Sequence, residues 1–195
     1  MIRNFPESEF IPTSGYNWEN YRYTSPKFRQ AHVEVFNHDA LTVLHVVVLP
    51  HVEYPTPIFG FDVVGSTKTN TVSGLFLDWS PTLIDKSWHD TSHHEQNRIL
   101  PPWAYIFSNS FIAQRPTEYT NLLTFALLSF DRYLRELRSA VPVTSKFDRQ
   151  YIIDKQDNYC IEQAANPRTH AALTAHLSSA EHATHFMSNI LFPRP

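Results

Sequence analysis

Four residues in the first third of the chain have the types and spacing to move protons: His32, Glu34, His45 and Asp62. His32 and Glu34 stand two apart in FRQAHVEV (28–35), so in a strand both face the same side. His45 is the lone ionisable residue of the apolar run 41–49, and Asp62 that of 58–64. A carboxylate buried without a partner is very costly, so Asp62 is paired, protonated or facing a cavity. An imidazole titrates near pH 6.5, where small shifts decide its charge. Converging on one sheet face, the four would make a poor core and a good proton-transfer site. The plainer reading is a satisfied core histidine and a strand-end aspartate, with one or two of the four turned to solvent.

The elements that must position them are legible around Leu41–Gly65, LTVLHVVVLPHVEYPTPIFGFDVVG. Its two β-branched runs flank Pro50, Pro55 and Pro57, which break any helix and mark a turn. Two buried strands follow. Further strands are expected at 18–24, 30–37, 70–79 and 106–114, and tight connections make the sheet antiparallel. Residues 1–17 read as a loose lead-in and 80–102 as loop. From Glu118 the period changes: Leu123, Leu127, Phe130, Leu134 and Leu137 mark an amphipathic helix to about Ala140. A second helix is expected over 148–165. Asn166-Pro167 reads as an N-cap with proline in the first turn, and Ser178-x-x-Glu181 as a capping box. Strands first and helices later predict an α+β fold, and 195 residues predict one domain spanning 1–195.

Composition removes several functions. A net charge of −3 and a pI near 6.4 do not suggest nucleic acid binding. No apolar run approaches the roughly 18 residues of a membrane span, and MIRNFPESEF has no signal-peptide core; a cytoplasmic protein is expected. Cys160 is the only cysteine, too few for an iron–sulfur cluster with about four thiolates. Gly15, Gly60, Gly65 and Gly74 never form G-x-G, which makes a nucleotide fold improbable. If the chain is a redox enzyme, another protein brings its electrons. His89, Asp90, His93, His94 and Glu95 are the best metal cluster. One His-rich loop without a distant ligand is weak evidence, and no metal site is expected.

PIFGFDVVG (57–65) with VSGLFLDWSP (72–81) resembles the signature of the ferredoxin-dependent bilin reductases. FRQAHVEV, RILPPWAYIFS (98–108), YCIEQAANPRTHAAL (159–173) and the terminal ILF (190–192) match in order, from about Trp18 to Phe192. The nearest branch is the phycocyanobilin-forming one. The chain lacks the usual first helix and strand and reads as a trimmed version, similar to phage-encoded members that include phycoerythrobilin makers.

The resemblance implies a three-layer α/β/α sandwich with the substrate between the sheet and the C-terminal helices. It implies radical reduction of biliverdin IXα to a phycobilin, phycoerythrobilin or else phycocyanobilin. Electrons come from reduced ferredoxin, protons from the protein, and no bound cofactor is needed. His45 and Asp62 match the central proton relay, His32 and Glu34 the pair at the far pyrrole ring. Arg98 and Arg168 stand where the family anchors propionates. Ser73, Trp103 and Asn166 match positions lining the substrate. Several bilin reductases carry an aspartate near Asn166; here Pro167 follows, which favours the His–Asp type. A monomer is expected. The alternatives are a non-catalytic bilin or haem carrier, which needs anchors but no proton donors, and a metal hydrolase built on 89–95.

Overall fold

The computed structural model describes residues 2–4, 17–80, 110–114, 119–177 and 179–195. Among the described residues, seven antiparallel strands lie side by side in chain order: β1 (Ile2–Asn4), β2 (Asn17–Tyr23), β3 (Phe28–Asn37), β4 (Thr42–Pro50), β5 (Ile58–Ser66), β6 (Thr71–Ser80) and β7 (Ser110–Gln114). Helices follow: α1 (Tyr119–Ser139), α2 (Lys146–Ala164), α3 (Pro167–His176) and α4 (Ala180–Phe186), the last running into a π-helical turn at Met187–Leu191. One strand, β1, was not expected, and it lies at an edge of the sheet. β1 falls inside the expected lead-in, and of the strand expected at 106–114 the described residues hold Ser110–Gln114. The connection from β5 to β6 turns through Asn70 at φ 51°, a left-handed conformation that asparagine tolerates.

Strand alternation divides the apolar residues between two faces. Val48, Phe59, Phe61, Leu75, Leu77 and Trp79 pack against Ala126, Tyr133 and Leu137 of α1. The Tyr133 hydroxyl donates to the Pro57 carbonyl at 2.9 Å, tying α1 to the turn before β5. Val47, Leu49 and Ile58 face the other way, onto Tyr159, Cys160, Leu173, Phe186 and Ile190 of the later helices. The architecture is therefore a three-layer α/β/α sandwich, as the resemblance implied.

Two sequence expectations are corrected. Leu127 is 68% exposed, because the buried stripe of α1 passes through Ala126, Tyr133 and Leu137. Leu127 stands one residue, about 100°, beyond Ala126. The cap of α4 is Ser179, whose hydroxyl accepts from the His182 amide at 3.1 Å, so the helix opens one residue later than a cap at Ser178 requires. The cap of α3 is as expected: Asn166 Oδ1 accepts from the amides of Arg168 and Thr169, with Pro167 at the first position. Among the described residues no helix is long and apolar enough to cross a membrane.

Candidate active site

The face toward α2–α4 carries the ionisable residues, and strand register aligns them. Asn20, Glu34, His45 and Asp62 are successive cross-strand partners on β2 to β5. Arg22 and His32 pair one step along. Sequence parity thus holds in space: His32, Glu34, His45 and Asp62 lie together on one face.

His45 Nδ1 donates to Asp62 Oδ1 at 2.6 Å, a short charge-assisted bond. The side chains differ in exposure, 13% for His45 and 38% for Asp62. Burial of Asp62 was expected and is not found, because its end of β5 runs toward the rim; the pairing was expected and is found. Burial alone would lower the pKa of His45, but the charge and hydrogen bond of Asp62 and the charge of Glu34 outweigh it and hold the pKa up. His45 Nε2 is buried with no hydrogen-bond partner. A deeply buried carboxylate of this cluster is instead Glu34, 8% exposed. Burial raises its pKa, opposed by the charge of His45 and by the Trp18 Nε1–H that donates to it at 2.8 Å, while Asp62 adds to the rise.

His32 is 0% exposed. Burial, then the charges of His45 and Arg22, push its pKa down to about 3, so it is neutral at ordinary pH. Its Nε2 bonds Asn20 Oδ1 at 3.0 Å, and its Nδ1 is buried without a partner. The two imidazoles stand 6.0 Å apart, centroid to centroid. Aromatic rings from the C-terminal segment enclose them: Phe186 edges His32 at 6.3 Å and Phe192 edges His45 at 6.2 Å. The set combines a buried carboxyl whose pKa is raised, an imidazole whose pKa is held up by its carboxylate partner, and two unpartnered buried ring nitrogens among aromatic rings. Such a set can deliver protons to a ligand laid against the sheet.

A model of the ferredoxin-dependent bilin reductases matches residues 13–193. The chain belongs to that family. It is 26% identical over 191 residues to the phycocyanobilin:ferredoxin oxidoreductase of Trichodesmium erythraeum, covering 91% of this chain and 76% of the relative. It is 28% identical over 190 residues to the enzyme of that name from Gloeobacter violaceus, covering 90% and 74%. Two solved structures share the fold. PcyX aligns with a TM-score of 0.64 at 22% identity, over 100% of this chain and 90% of that one. Tomato phytochromobilin synthase in complex with biliverdin aligns with 0.72 at 14%, over 98% and 76%. The bilin reductase is thus an oxidoreductase of CH–CH bonds that takes its electrons from ferredoxin.

The remaining expected site residues are spread out. Arg168 is exposed on the first turn of α3, beside Asn166. The carboxamide oxygen of Asn166 is engaged in capping. Ser73 sits at the bulge where β6 shifts register against β5, and its hydroxyl donates to the Val64 carbonyl at 3.1 Å. Arg98, Trp103 and the 89–95 cluster lie outside the described residues. Sequence reasoning missed Trp18, Asn20, Phe192 and a buried carboxylate on the same face, Asp78. Tyr159, itself bonded by Gln163, donates to Asp78 at 3.0 Å. The only advance sign of Trp18 and Asn20 was their shared parity in β2.

Proposed function

We propose that this reductase converts biliverdin IXα to a phycobilin by a radical route in which His45 and Asp62 supply protons. The single observation that carries this is the 2.6 Å His45–Asp62 bond combined with the unpartnered, buried Nε2 of His45. A purely structural pair would not leave that nitrogen unsatisfied, at a cost of roughly 1–3 kcal/mol. A bilin N–H or carbonyl laid on this face gives it a partner. Each saturated double bond takes two electrons from ferredoxin, one at a time, and two protons from the protein. Protonating the bilin first makes it a better electron acceptor. Loss of the proton from His45 Nε2 leaves Asp62 holding the imidazole in its Nδ1–H tautomer. Glu34 and His32 serve the far pyrrole ring. Arg98 and Arg168 anchor the propionates, with Ser73, Trp103 and Asn166 lining the substrate. The chain works as one domain, a cytoplasmic monomer without a bound cofactor.

For the product we take phycoerythrobilin, on the family resemblance of the sequence. The relatives' names favour phycocyanobilin as the second reading. A carrier needs no buried proton donors, and the chain belongs to a family of enzymes. The test is anaerobic incubation with biliverdin, ferredoxin, ferredoxin reductase and NADPH, the product identified by chromatography. Phycobilin should form, and omitting ferredoxin should abolish turnover. Equal reduction by NADPH without ferredoxin, or biliverdin recovered unchanged from the full mixture, overturns the reading.

A further inference from the structure

We propose that Asn20 is a positioning residue: it fixes the tautomer of His32, so that this imidazole meets the bilin through Nδ1 as a hydrogen-bond acceptor and not as a proton donor. The inference rests on the reading that the bilin lies on this face.

The geometry starts in the β2–β3 register. Asn20 pairs with Glu34, and Arg22 with His32, so the Asn20 side chain lies diagonally across from the His32 ring. Its Oδ1 is 3.0 Å from His32 Nε2. A carboxamide oxygen only accepts, so Nε2 carries the hydrogen. The groups facing His32 are Arg22, Glu34, His45 and Asn20; burial, then the charges of His45 and Arg22, favour its neutral form. A neutral imidazole has one N–H. With it on Nε2, Nδ1 holds only a lone pair. That lone pair is buried, unpartnered and on the face that carries His45 Nε2.

The consequence divides labour within the cluster. His45, paired with Asp62, is the proton-holding imidazole, whereas His32 offers an acceptor to a pyrrole or lactam N–H. An N–H held there fixes which ring lies nearest the donors, and donor placement decides which double bond is reduced. Turning the Asn20 amide over would put nitrogen against Nε2 and the hydrogen on Nδ1, removing the acceptor. Asn20 is thus a determinant of bilin register, acting through His32.

Ring-nitrogen NMR of protein labelled with ¹⁵N-histidine, without bilin, reads the tautomer directly and does not depend on catalysis. The wild type should show His32 protonated at Nε2 and bare at Nδ1 from pH 5 to pH 8. Asn20→Leu should lose this single tautomer, and the near-isosteric Asn20→Asp should turn His32 into an imidazolium at pH 6. In the anaerobic ferredoxin assay, Asn20→Leu should bind biliverdin within about fivefold of wild type and alter the product ratio. A hydrogen on Nδ1 in the wild type overturns the proposal, as does an unchanged His32 signal in both variants or an unchanged product ratio beside a changed tautomer. If the wild type reduces no bilin, the spectra still decide the tautomer, so failure of the enzymatic reading is seen separately.

Discussion

Substituting His32 with Gln should make the protein relatively more stable in acid, by an amount the structure sets. Folded His32 titrates near 3, against about 6.5 for an unfolded histidine. Between those values the unfolded chain binds a proton that the folded chain refuses, so stability falls with falling pH. At pH 5 the unfolded residue lies about 1.5 units below its pKa, and at about 1.4 kcal/mol per unit the cost is about 2 kcal/mol. At pH 7.5 the cost is nearly zero. Glutamine does not titrate, so the stability difference between His32→Gln and wild type should move by about 2 kcal/mol in favour of the variant between pH 7.5 and 5. Urea unfolding at the two pH values measures this. With a slope of about 2 kcal/mol/M the midpoint difference moves by about 1 M. The loss of packing and of the Asn20 bond is common to both pH values and cancels. A difference that stays within about 0.5 kcal/mol would mean that folded His32 titrates as an ordinary histidine, and the argument for its neutrality fails.

Two further outcomes follow from the same cluster. His45 is held above its usual pKa by Asp62 and Glu34, so its contribution to stability is present below about pH 6.5 and lost as pH rises through the raised value; turnover should fall over that alkaline range, and in Glu34→Gln the fall should begin at lower pH, as a pH–rate profile will show. Asn166→Ala should cost about 1 kcal/mol of stability through the lost cap of α3, whereas Asn166→Asp should keep it; equal thermal stability of both variants would show that the cap contributes nothing.

Part of this site was legible because it violates a local rule. One ionisable residue inside each of two apolar strands is costly unless partnered, and equal distances from the Pro50–Pro57 turn bring His45 opposite Asp62. Parity alone put His32 beside Glu34. Beyond its parity, Asn20 was illegible because a polar residue in a half-buried strand reads equally well as solvent-facing, and Trp18 because an aromatic there reads as ordinary core. The depth of Asp62 depends on where β5 meets the rim, a tertiary property. At α1 the three- and four-residue spacing admits Ala126 or Leu127, and only the sheet decides between them. At α4 two adjacent serines offered two starts, and the cap geometry selects Ser179.

The most direct test of proton supply by His45 and Asp62 is anaerobic absorption and electron spin resonance spectroscopy of Asp62→Asn with biliverdin and reduced ferredoxin. Asparagine keeps the size and polarity of residue 62 but removes the charge that holds the proton on His45. The variant should bind biliverdin nearly normally, accept the first electron and stall as a long-lived bilin radical. Normal product at the normal rate, with no radical signal, would remove Asp62 from the mechanism and leave Glu34 as the proton donor of this face.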